Sequence, residues 1–160
     1  MSEKKQFSTA LAKINDAYFP MIERQLTGNG IKMDDYSKQC VLNAISSINN
    51  VLDQNGIDWN NPQLDQSNIT QILLNVASLK LNSAANPNEV YFQVRNVKHK
   101  KDGKDIWKKQ IEMGIEGDGN DAILARFGRD VKTIHQYWLV RENDEFEYPS
   151  YVGLEITPPK

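Results

Sequence analysis

Val90–Phe146 reads VYFQVRNVKHKKDGKDIWKKQIEMGIEGDGNDAILARFGRDVKTIHQYWLVRENDEF, and its pattern decides the fold. Val90, Phe92, Val94 and Val97 alternate with Tyr91, Gln93, Arg95 and Asn96, the period-two rhythm of a strand. KKDGKD supplies an Asp-Gly hairpin turn, and Ile106 to Ile115 is the returning strand. EGDGNDAILARFGRD predicts a short helix through Phe127, which Asp118 or Asn120 could cap and Gly128 closes. The glycine-rich run Gly114 to Gly119 carries Glu116 and Asp118, which repel phosphate, so it reads as a turn needing unusual backbone angles. Thr133 to Val140 alternates again, His135, Tyr137 and Leu139 opposite Ile134, Gln136 and Trp138, and predicts a third strand. RENDEFEYPS is an acidic turn, and Tyr151 to Ile156 is expected as a last strand.

Upstream the period changes to that of helices. From Ser8, a candidate cap, Leu11, Ile14, Tyr18 with Phe19, Ile22 and Leu26 repeat every three or four residues until Gly28 and Gly30, with Pro20 placed to kink or divide the helix. A second helix is expected from about Asp34 to Gln54, with Tyr36, Cys40, Val41, Ala44, Ile45, Ile48 and Leu52 on one side and Gly56 as its stop. In the polar connector that follows, Trp59 is read as an anchor docked on the helices. Ser67 begins a third helix whose stripe is Ile69, Ile72, Leu73, Val76, Leu79 and Leu81. Helices first and strands after define the α+β class: N-terminal helices packed on a small antiparallel sheet with a protruding basic β-hairpin. At 160 residues a single domain is expected over 1–160, with a helical part at 1–86 and a hairpin-helix-strand part at 87–160.

Charge separates one segment from the rest. Arg95 to Lys109 holds seven Lys/Arg against two Asp, locally +5, on a chain of formal charge −2, which leaves −7 for everything else. A positive block on an otherwise acidic molecule reads either as a partner-facing surface suited to a polyanion or as a solvated hairpin tip. Lys98, Lys100, Lys101, Lys104, Lys108 and Lys109, with Arg126, Arg129 and Lys132 downstream, are interleaved with Tyr91, Phe92, Trp107, Tyr137 and Trp138. Cations that track phosphates and aromatics that stack unpaired bases are what sequence-tolerant single-strand binding requires, with affinity that falls as salt rises. No helix-turn-helix or other base-reading element is evident.

Other chemistries find less support. There is no P-loop, which argues against ATP-driven work, and neither His99 nor His135 stands near a serine in an elbow pattern. One cysteine, Cys40, excludes an intrachain disulfide and a four-cysteine zinc site. It falls in an apolar helical stripe and reads as a buried small group. Catalytic and metal-ligating residues are therefore expected to be none, and the chain not an enzyme. Glu112, Glu116, Asp118 and Asp121, together with the Asp102-x-Lys104 spacing, keep a Mg²⁺-dependent nuclease as one alternative, and a protein–protein interaction module is another. Without an apolar span or a leader-like N-terminus the chain is expected in the cytosol.

Three passages resemble the RecT family of phage single-strand annealing proteins. SNITQILLNVASLKLN followed by NPNEVYFQVRN is similar to the family's helix ending in a Leu-x-Leu step, turn and strand. KKQIEMGIEGDGNDAILARFG resembles its strand, glycine turn and helix, and VKTIHQYWLVRENDEFEY its strand ending in Val-x-Glu-x-Asp-x-Phe. The likeness covers roughly Asn68 to Tyr148. Gly114, Gly117, Arg126 and Gly128 match, while Ile115 and Glu116 stand where the family commonly has an aromatic and an Arg. Family members continue well past the position of Lys160, so the chain is expected to be truncated relative to them. The resemblance implies ATP-independent binding of single-stranded DNA and annealing of complementary strands in phage homologous recombination, in the bacterial host cytoplasm. It implies homo-oligomers, as rings or helical filaments, and as partners an exonuclease and the host's single-strand binding protein. No cofactor is implied beyond Mg²⁺ as a modulator. The expected DNA-binding set is Lys98, Lys100, Lys101, Lys104, Trp107, Lys108, Lys109, Arg126, Arg129 and Lys132.

Overall fold

The computed structural model describes residues 10–101, 103–135, 139–143, 145, 151–152 and 155–156. Three helices lead: α1 Ala10–Gly28, α2 Asp35–Gln54 and α3 Gln66–Leu79. The long strands β1 Val90–Lys101 and β2 Lys104–Ile115 follow, then α4 Gly117–Phe127 and the two-residue strands β3 Tyr151–Val152 and β4 Glu155–Ile156. The α+β class expected from the sequence is the one observed, with the helices N-terminal to an antiparallel two-stranded sheet. Among the described residues no helix is long and apolar enough to cross a membrane. Ser8, the expected cap of α1, lies outside the described residues, and Pro20 does not divide the helix.

The first three helices end alike. Ile31 N–H reaches Leu26 O and Gly30 N–H reaches Thr27 O, while Ile57 N–H reaches Leu52 O and Gly56 N–H reaches Asp53 O. Gly30 and Gly56 sit at φ +77° and +62°, the left-handed position that such closures demand. At α3 the same place is taken by Lys80, φ +55°, and Leu81 N–H returns to Val76 O. Leu81, expected as the last rung of the helical stripe, is therefore the first apolar residue past the helix, fully buried against the turn it closes. The start of α3 also differs by one residue: the helix begins at Gln66 rather than Ser67, with Asp65 as its N-cap.

The core lies between the helices and one face of the sheet. Ile22, Cys40, Val41, Ile45, Ile48, Leu52, Ile69, Leu73 and Val76 are fully buried, with α2 packed on β1, α3 on β2 and α1 on both helices. Val90, Phe92 and Ile111 are the sheet's buried contribution, with Val94, Met113 and Ile115 packed around them. Each such burial is worth about 1.5–3 kcal/mol, enough to fix the strand register. Trp59 docks as expected: its Nε1 donates to Asn49 Oδ1 at 2.8 Å and its ring lies 5.6 Å from that of Tyr18. Strand pairing runs from Val90–Ile115 to Lys101–Lys104, so β2 begins two residues before Ile106, and Gly103, between the strands, has φ +73°.

Downstream of β2 the expectations need correction. Neither Asp118 nor Asn120 caps α4; its N-cap is Glu116, with no side-chain bond, and Gly128 closes it at an ordinary φ of −66°. The run Gly114–Gly119 holds no positive φ, and two of its glycines serve close approach instead. A Cβ on Gly114 would strike the Tyr91 ring, and one on Gly119 would lie 1.9 Å from Glu89 O. Of the expected strand Thr133–Val140, residues 133–135 and 139–140 are in no strand, and Gln136, Tyr137 and Trp138 lie outside the described residues. Apart from half-buried Ile134, its described side chains are exposed, so the alternation has no covered face to report. The last expected strand is instead a tight pairing of Tyr151–Val152 with Glu155–Ile156.

Gly119→Ala should therefore push α4 off the Glu89 backbone and lower stability by about 2–4 kcal/mol. Gly28→Ala, where an added Cβ meets nothing within 4 Å, should leave the melting temperature nearly unchanged. Thermal unfolding of the two variants checks the contrast.

Candidate nucleic-acid interface

The ladder is longer than the helices that cover it. Direct pairing puts Val90, Phe92, Val94, Asn96, Lys98 and Lys100 on one face with Ile115, Met113, Ile111, Lys109, Trp107 and Asp105. At the base this face is core. Beyond Asn96 and Lys109 it becomes lysines around Trp107, whose side chain is 56% exposed. The other face carries Gln93, Arg95 and His99 with Lys104, Lys108, Gln110 and Glu112, so cations stand on both sides of the distal half.

A strap fixes the ladder midway. Lys109 N–H donates to Gln63 O at 2.8 Å, Asp65 N–H donates to Lys109 O at 2.9 Å, and Ile111 N–H donates to Asn68 Oδ1 at 2.7 Å. These bonds pair the outer edge of β2 that would otherwise be open. Asp65 is buried and serves both elements. Its Oδ1 accepts from Ser67 Oγ at 2.6 Å and Asn68 N–H at 3.4 Å, its Oδ2 accepts from Gln110 Nε2 at 3.0 Å, and Lys108 Nζ stands 3.7 Å away. The Ser67 and Gln110 bonds, ahead of the Lys108 charge, lower its pKa to about 2.

Among the cations, several are engaged locally. Lys98 pairs with Asp105 at 2.6 Å, Lys109 Nζ donates to Asn96 Oδ1 at 3.4 Å, and Arg95 pairs with Glu112, which also accepts from Gln93. Lys100 and Lys104 have no ion-pair partner among the described residues and are exposed. The Lys101 side chain lies outside what is described. The set forms a basic finger with exposed cations on two faces rather than a groove.

Arg126, Arg129 and Lys132 are not part of it. Eleven ladder steps separate the turn from the end that leads into α4, about 35 Å. Arg126 is moreover held by the fold: its Nη2 donates to Glu89 Oε1 at 2.7 Å, and its Nη1 donates to Glu89 Oε2 at 3.2 Å and to Lys80 O at 2.7 Å. Its guanidinium also lies 5.4 Å from the centre of the Tyr36 ring. The Glu89 bonds raise its pKa further. Glu89, itself buried, also accepts from Asn82 N–H at 2.8 Å. Lys80, whose carbonyl this site uses, is tied to Asp34, and that bond with the Ser37 N–H holds Asp34 well below the usual carboxylate range. Arg129 and Lys132, which follow α4 in the chain, are exposed. Sequence reading missed both carboxylates; the Asp-x-Ser-Asn cap spacing at Asp65 was a signal for one, and nothing local marked Glu89.

The remaining candidates give little chemistry. Cys40 is fully buried, and burial pushes its thiol up to about 11. Among the described residues no three His, Cys, Asp or Glu side chains group as metal ligands, Glu112 is bonded to Gln93 and Arg95, and Asp102 lies outside the described set. A concavity of about 1110 Å³ between α1 and residues 58–70 is lined by Tyr18, Met21, Trp59 and Leu64 and by none of the candidate DNA-binding residues. No protein-family model, curated protein or solved structure matches the chain.

Because the Asp65 carboxyl is depressed in the folded state, its contribution is present above about pH 4 and lost as pH falls toward 2. Asp65→Asn should cost about 2 kcal/mol at pH 7, and the gap from wild type should narrow in urea unfolding at pH 3. Arg126→Ala should cost about 3 kcal/mol by leaving Glu89 buried and unpaired, as chemical unfolding would show.

Proposed function

We propose that this chain binds single-stranded DNA through the basic finger and promotes annealing of complementary strands without ATP. The observation that carries the reading is the distal part of the β1–β2 ladder, which lies in the stretch Arg95–Lys109, with seven Lys/Arg against two Asp in sequence on an otherwise acidic chain. The likeness of Asn68–Tyr148 to phage annealing proteins supports the same reading. Two phosphate backbones repel each other, and cations that neutralise part of each let the strands meet while counterions are released. That work needs no covalent step, so no catalytic residue is assigned. Lys98, Lys100, Lys101, Lys104, Lys108 and Lys109 are the proposed phosphate contacts.

On this reading the protein acts in a bacterial cytoplasm as a ring or filament of copies. An exonuclease would supply the single strand, and the host's single-strand binding protein would share it. Lys100 and Lys104, which have no ion-pair partner among the described residues, should contribute most.

Fluorescence anisotropy of a labelled oligonucleotide at several salt concentrations tests the proposal. Wild-type affinity should fall steeply with salt, and Lys100→Glu with Lys104→Glu should weaken binding about tenfold or more and flatten the slope by about 1.4, the loss of two single-strand phosphate contacts. Salt-independent binding, or none, would overturn it.

A further inference from the structure

The geometry points to Trp107 as the element that distinguishes an unpaired strand from a duplex, by stacking one free base; this rests on the reading of the finger as a DNA-binding surface. Trp107 stands directly across from Lys98, with Lys100 diagonal to it and Asp105 and Lys109 two residues away on its own strand. Outward bonding of Lys109 to residues 63 and 65 makes Asn96–Lys109 a non-hydrogen-bonded pair, and alternation makes Lys98–Trp107 another. In such pairs opposed side chains stand closest. The indole is thus bordered by three lysines and one aspartate, and Lys98 pairs with that aspartate at 2.6 Å.

Two other partly exposed aromatics have structural uses. The Tyr91 ring covers Gly114, and Tyr36 lies under Arg126. Trp107 continues the core face past the helices, where a buried role would require cover that the described helices do not provide. A π-face beside ammonium groups suits a ligand that is flat and apolar on one part and anionic on the next, which describes an unpaired nucleotide. In a duplex the base is stacked on its neighbours and only the phosphates remain available. Pairing therefore removes the indole's contact, and the annealed product is held less tightly than the strand that entered.

Anisotropy with an oligothymidylate and with a duplex of equal length separates this from the finger's electrostatics. Trp107→Ala should weaken single-strand binding about 5- to 150-fold, the range for one stacked base, leaving duplex affinity within about twofold and the salt slope unchanged. Trp107→Phe should recover most of the loss. If wild type binds neither nucleic acid, the finger reading and this inference both fall. If wild type binds with the expected salt slope and Trp107→Ala matches it, or loses equally on strand and duplex, the inference alone falls. Loss of self-association in sedimentation, with DNA binding intact, would likewise overturn it and give the indole to a protein contact.

Discussion

One carboxylate joins the helical part to the ladder. Asp65 caps α3 and, through Gln110 and Lys108, holds β2, while its own N–H and the Gln63 carbonyl pair with Lys109. A two-stranded ribbon has little stability alone. Here its base is set on the core by Val90, Phe92 and Ile111, and its midpoint is fastened by this strap. Among the described residues, what lies beyond is held in register by its own ladder. The distal cations thus stand on a supported, extended element, which a polymer can approach from two sides.

The far end of the sheet is fastened by different means. α4 offers the core little apolar surface, and Leu124 and Phe127 are about half exposed. It is secured by Arg126 on Glu89 and by Gly119 against the Glu89 carbonyl. Both contacts converge on Glu89, just before β1, and Arg126 also reaches the turn that closes α3, where left-handed Lys80 directs its carbonyl to it. The same economy of charge recurs along the ladder, where Glu112 meets Arg95 and Asp105 meets Lys98. Acidic residues thereby define which cations serve the fold, and among the described residues the tip lysines Lys100 and Lys104 have no acidic partner.

Much of the fold was legible in the sequence because helix period, glycine stops and an Asp-Gly turn are local signals. The three leading helices and the hairpin follow from them directly. Thr133–Val140 misled because alternation alone says nothing about whether a partner strand exists. Gly114–Gly119 misled because glycine marks close approach as well as unusual backbone angles, and only the tertiary neighbour Glu89 distinguishes the two. Of the candidate site, the finger lysines and Trp107 were readable as a charge block with an aromatic inside it. The fate of Arg126 was not, since its partner lies 37 residues earlier in the chain.

The physical picture is a ribbon whose base is covered by the fold and whose end is left bare and positive. On the proposed reading, like-charged strands would meet beside it with no energy source other than counterion release and base pairing. The most direct measurement is the rate at which two complementary oligonucleotides anneal with this protein, without ATP, over a range of salt. The account predicts acceleration at low salt that fades steeply as salt rises. An unchanged rate, or an acceleration indifferent to salt, would contradict it.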